Sequence, residues 1–136
     1  MPKELRVELE FDSTRPIYLQ IIDEVKRAVV RNILTPGEKL PSQRELALNA
    51  RVNPNTVQRA YREMETMGLV ETKRGEGTFI SQDEGFLASL RSEMAHAAVQ
   101  DFVRQTMALG LNESEVIQLV SEFFREAGVK GGSDHD

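Results

Sequence analysis

Residues 40–80 read LPSQRELALNARVNPNTVQRAYREMETMGLVETKRGEGTFI. Ser42 followed three residues later by Glu45 is a capping box, in which a hydroxyl and a carboxylate satisfy unpaired helix-start amides reciprocally. A short helix is therefore expected from Ser42 to about Asn49–Arg51. Asn53 can cap a new helix that carries Pro54 at its first position, with Val57, Ala60, Tyr61, Met64 and Met67 as its buried stripe. Gly68 closes that helix, and Leu69–Lys73 and Thr78–Ile80 flank the turn Arg74-Gly75-Glu76-Gly77, which predicts a hairpin. Helix, turn, helix and hairpin in this order spell a winged helix-turn-helix.

Upstream, Leu5, Val7, Leu9 and Phe11 alternate with Arg6, Glu8 and Glu10, the period of a half-buried strand. Pro16 suits a first helical turn, and apolar residues from Ile17 to Ile33 recur at helical spacing until Thr35-Pro36-Gly37. Downstream, Phe86, Leu87, Leu90, Met94, Ala97, Ala98, Phe102 and Met107 predict a long helix ending at Gly110. Asn112 and Glu115 then form a second capping box for a helix carrying Val116, Ile117, Leu119, Val120, Phe123 and Phe124, which Gly128 stops. The fold class is mainly α with a small β wing: a winged helix-turn-helix domain over 1–82, a two-helix dimerisation region over 83–130 and a polar tail over 131–136.

The chain of 136 residues has no cysteine, which excludes a disulfide framework and Cys-based zinc or redox sites. Its start resembles no secretory leader, and no run approaches the roughly 18 apolar residues of a membrane span, so a cytoplasmic protein with no membrane partner is expected. The net charge of −5 is unevenly placed: residues 1–82 hold 13 Lys+Arg and 12 Asp+Glu, and residues 83–136 hold 4 and 10. Two histidines, no glycine-rich phosphate loop and no metal-spaced ligand cluster argue against an enzyme, a metal or a cofactor.

Residues 40–80 closely resemble the DNA-binding domain of the GntR family of bacterial transcription regulators, including the lead-in Pro36-Gly37-Glu38-Lys39-Leu40-Pro41-Ser42. Arg15-Pro16-Ile17-Tyr18-Leu19-Gln20-Ile21 and the short extension after the wing look like the YtrA subgroup. The resemblance implies a homodimer on a palindromic operator in double-stranded DNA, usually acting as a repressor. It also implies contacts from the helix begun at Ser42, the recognition helix and the wing tip. The positions carried over are Arg44, Asn53, Pro54, Asn55, Thr56 and Gln58; Ser42, Arg59 and, at the wing, Lys73, Arg74, Gly75 and Gly77 are further candidate DNA contacts. Many relatives have arginine where this chain has Pro54 and Gln58, so their base preference does not transfer.

The chemistry agrees with these roles. Asn55 or Gln58 has the paired donor and acceptor that reads adenine, and the Thr56 methyl can meet a thymine methyl. Arg44 opposes its helix dipole, which invites a phosphate or guanine partner, although a solvated arginine fits the same position. Arg59 suits either a phosphate or an intrahelical pair with Glu63. At the wing, Lys73 and Arg74 with mobile glycines suit a minor groove. Asn53 and Thr56 also fit plain capping.

Phe86, Leu90, Met94, Phe102, Val116, Leu119, Val120, Phe123 and Phe124 exceed what two helices hide alone, so they are expected to face a second chain or fold back on the first domain. The resemblance also implies an unknown small-molecule effector, as the family often has one; two short helices leave little room for a pocket of roughly 300 Å³ except at a dimer cleft, and no dedicated ligand domain is expected. The competing function is a winged helix used for protein association without DNA. Uncharged base-reading residues at a helix start, beside Arg44 and Arg74, discriminate against it.

Overall fold

The computed structural model describes residues 11–128, so the strand expected over Leu5–Phe11 and the polar tail lie wholly or mainly outside the described residues. The elements are α1 (Ile17–Val30), α2 (Gln43–Ala50), α3 (Pro54–Thr66), β1 (Val70–Lys73), β2 (Gly77–Ile80), α4 (Glu84–Ala108) and α5 (Glu113–Glu126). The chain divides into two compact units at Glu93/Met94.

In the first unit α3 packs on α1, α2 and β1. Ile21, Leu34, Leu46, Val57, Met64 and Leu69 reach zero exposure, so both helix-turn-helix elements share one core with α1. Burying each such side chain contributes about 1.5–3 kcal/mol. Tyr61 donates its hydroxyl to the Pro41 carbonyl at 2.6 Å, tying α3 to the segment entering α2. Burial raises that phenol far above its ordinary range, so it stays a neutral donor.

Helix ends follow local chemistry. Ser42 accepts from the Glu45 amide at 3.0 Å, while the Glu45 carboxylate accepts from the Ser42 amide at 2.9 Å. That second bond is the main cause holding the Glu45 carboxyl below its usual value. The box thus contributes stability that is fully present above the unfolded-state pKa of 4.5 and is lost as pH falls through the lower folded value. We expect the thermal midpoint of Glu45→Gln to lose less than the parent between pH 5 and pH 3; equal losses would remove the box from the acid response.

Helix α1 ends at Val30, short of the Ile33 expected from periodicity. Asn32 turns left-handed at φ 62°, and the Ile33 and Leu34 amides both bond the Ala28 carbonyl. An asparagine tolerates that conformation, so it closes the helix while Leu34 still enters the core.

β1 and β2 pair antiparallel with Val70 opposite Ile80 and Lys73 opposite Gly77. The wing has a further edge that periodicity does not reveal. The Leu40 amide bonds the Thr78 carbonyl, the Ile80 amide bonds the Glu38 carbonyl, and Lys39 bridges Phe79. The Pro36–Ser42 lead-in therefore anchors the wing to the start of α2.

Leu90, expected at a surface for a second chain, is only 5% exposed within the single chain. Its side chain already belongs to a packed interior, which corrects that assignment. Phe86 and Met94 are half-buried.

In the second unit the Asn112–Glu115 capping box starts α5, both of its bonds measuring 2.9 Å. Its apolar side chains are poorly covered: Phe102 is 41% exposed, Leu119 42%, Phe123 65% and Phe124 59%. Val116 and Val120 are half-buried. Val99, Val103 and Met107 are exposed too, so the apolar residues of α4 are not confined to one side as the spacing suggested. The unit's two helices frame an open concavity of about 390 Å³ lined by Phe102, Leu111, Val120 and Phe124 among others, more room than two short helices were expected to leave. No helix among the described residues is long and apolar enough to cross a membrane.

Candidate nucleic-acid interface

The turn between α2 and α3 consists of Arg51, Val52 and Asn53. Arg51 is left-handed at φ 57°, a conformation that costs a non-glycine residue roughly 1–2 kcal/mol. It is held because the Val52 amide reaches back to the Ala47 carbonyl at 3.0 Å and Val52 is buried. Asn53 then caps α3, its side-chain oxygen accepting from the Asn55 amide at 2.7 Å. Pro54 occupies the first turn, where its missing N–H is harmless.

This turn fixes which side chains are free. Ser42 and Asn53 are exposed but spend their side-chain oxygens on capping. Asn55 and Gln58 are exposed, and Thr56 is half-buried. Arg44, Pro54, Asn55 and Gln58 line one shallow groove between α2 and α3, together with Gln43, Ala47, Leu48 and Val52. The structure thus places a cation, three amide side chains and a 71% exposed leucine along one groove. Leu48 and Gln43 were not singled out from sequence. The available signal for Leu48 was an apolar residue adjoining the buried pair Leu46 and Ala47, and so turned off their face.

On its other flank α3 meets the start of α1. Pro16, Ile17, Tyr18, Asn55, Thr56 and Arg59 line a second depression. The Arg59 guanidinium carbon sits 3.9 Å from the centre of the Tyr18 ring. Arg59 therefore makes a cation–π contact, and no ion pair joins it to Glu63 among the described residues.

The wing residues line neither groove. Lys73 ends β1 with its ammonium 5.1 Å from the Phe79 ring centre. Arg74 and Gly75 occupy the exposed turn closed by the Glu76 amide on the Lys73 carbonyl at 2.9 Å. Gly77, at φ 131°, has the Lys39 side chain where a Cβ would stand, 2.7 Å from Lys39 Cε. The backbone conformation calls for glycine there, while the flexible end of Lys39 could move aside for a larger residue.

Two helices joined by a three-residue turn, with an antiparallel wing behind and a polar groove along the second helix, define a winged helix-turn-helix regulator. Residues 17–80 match the model for bacterial regulatory proteins of the gntR family. The HTH-type transcriptional regulator YhcF of Bacillus subtilis is 45% identical over 114 residues, covering 84% of this chain and 94% of that one. The HTH-type transcriptional repressor YtrA of the same organism is 36% identical over 131 residues, covering 96% and 99%. Among solved structures, a GntR family transcriptional regulator from Listeria monocytogenes superposes with a TM-score of 0.79 at 35% identity, covering 82% and 98%. The chain belongs to the GntR family, in its YtrA-like subgroup. These relatives are named as transcription regulators.

Proposed function

We propose that this regulator represses transcription in the cytoplasm by binding a palindromic operator as a homodimer. Residues 1–82, the larger part of the first unit, meet double-stranded DNA, and residues 83–130 join the two chains. The observation that carries the reading is the groove in which Arg44, Asn55 and Gln58 stand together and exposed, while Ser42 and Asn53 secure the helix starts behind them. In a major groove, Asn55 and Gln58 read base edges, and Arg44 binds guanine or phosphate. The Thr56 methyl meets a thymine methyl, and Lys73, Arg74, Gly75 and Gly77 bring the wing to the adjacent minor groove. The name of the YtrA relative supports the repressor role. An effector, where there is one, belongs at the second unit.

Selection from random duplex DNA at about 150 mM salt, where non-specific phosphate attraction is weakened, tests the proposal. The expected product is a palindromic consensus. Arg44→Ala should bind it at least about tenfold more weakly, and Asn55→Ala should relax preference at one base pair per half-site by roughly 1–3 kcal/mol. Failure to enrich any sequence, with the parent and with added cell extract, would instead favour a winged helix that associates only with protein.

A further inference from the structure

The Tyr18–Arg59 contact joins α1 to the second helix of the helix-turn-helix pair and borders its proposed DNA face. Arg59 follows Asn55 by one helical turn, on the same side of α3, about 6 Å further along the axis. Its guanidinium could pair with Glu63 at four-residue spacing, although with the basic residue first that is the weaker orientation of such a pair. It instead lies at 3.9 Å over Tyr18, at the van der Waals separation of stacked groups. Both residues, with Asn55 and Thr56, line the same depression, so the cation stands at the edge of the groove that α3 and α1 form together.

A guanidinium resting on a ring face keeps N–H groups for a hydrogen-bonding partner, because the ring interacts with its charge and leaves donors unsatisfied. Arg59 is exposed, and its five donors have no hydrogen-bond acceptor among the described residues. An arginine so held has lost part of its rotamer freedom before any ligand arrives, which lowers the cost of binding. The ligand that suits one pre-aimed cation beside a base-reading helix start is a DNA backbone phosphate.

We propose that Tyr18 is a positioning residue for DNA: its ring holds Arg59 against a backbone phosphate, making the start of α1 a working side of the interface. This rests on the reading of α3 as the recognition helix. It assigns a contribution to DNA affinity to a helix that otherwise supplies only core.

The test uses the duplex recovered in the selection above and the full chain, with affinity measured across a salt series. Arg59→Ala should weaken binding about tenfold and reduce the slope of log affinity against log salt by about one. Tyr18→Ala should weaken it about three- to fivefold, the range expected for losing an exposed cation–π contact, and should have no further effect in the Arg59→Ala chain. Tyr18→Phe keeps the ring and should bind like the parent. Equal thermal midpoints across the set separate positioning from folding.

Additive losses from Tyr18→Ala and Arg59→Ala would overturn the proposal, as would unchanged binding by Tyr18→Ala. A Tyr18→Phe chain as weak as Tyr18→Ala would overturn it too, because the hydroxyl itself would then be the contact. If the parent enriches no sequence, the recognition-helix reading and this proposal fall together; if it does and these variants fail, only this proposal falls.

Discussion

Met64→Ala should lower the unfolding free energy of the first unit by about 3 kcal/mol, within the range of large-to-small substitutions at fully buried sites. Met64 has zero exposure and sits on α3, the one helix that packs on α1, α2 and β1 alike. Deleting its side chain leaves a void that three elements must close at once, and a close-packed interior relaxes poorly. For a unit of this size the loss corresponds to a fall of roughly 12–24 °C in thermal midpoint. Both tyrosines, Tyr18 and Tyr61, belong to the first unit, and the chain has no tryptophan, so tyrosine fluorescence in a urea titration reports this unit alone. A loss below about 1 kcal/mol would mean that α3 is not the keystone of the core. DNA affinity should follow stability here without a change of base preference, because Met64 faces away from Asn55 and Gln58.

Much of this unit was legible because its decisive signals are local. Ser42 with Glu45, Asn53 with Pro54, and Asn112 with Glu115 each act within four residues, and all three caps form as their spacing implies. Gly68 is left-handed at φ 85°, just after α3, as a terminating glycine should be. What escaped the sequence was either weak or long-range. Asn32 ends α1 early through a left-handed turn, while the apolar run continues through the half-buried Ile33 to the buried Leu34. The Lys39 bridge to Phe79 involves too short a segment to show alternation.

The candidate site divides in the same way. Arg44, Asn55 and Gln58 share a groove because two adjacent helices bring them there, which helix-turn-helix spacing already implied. Arg59 was read between a phosphate and Glu63, the partners visible at short range. Its actual neighbour, Tyr18, comes from a helix far upstream and is brought close by tertiary packing alone. Leu90 shows the same limit in reverse: periodicity places it on an apolar face, but only packing decides whether its own chain or another covers that face.

Phe123→Asp should convert the protein to a monomer at micromolar concentration and abolish operator binding at salt near 150 mM. Phe123 is 65% exposed beside Phe124 at 59%, and Phe102 and Leu119 each keep about two-fifths of their surface in water. Contiguous apolar surface of this kind is rare on a protein that stays single and common where a second copy covers it. In a twofold interface each substitution acts twice. A carboxylate buried without a partner at both copies should raise the dissociation constant at least a hundredfold. The monomer retains the groove along α3 but reaches one half-site only, so both the contacts and their mutual reinforcement are lost. Tyrosine fluorescence should still report an unchanged first unit, because Phe123 belongs to the second. Light scattering on parent and variant decides the matter. A variant that stays dimeric would move the interface away from α5, and a parent already monomeric when free of DNA would leave the apolar face without its second copy.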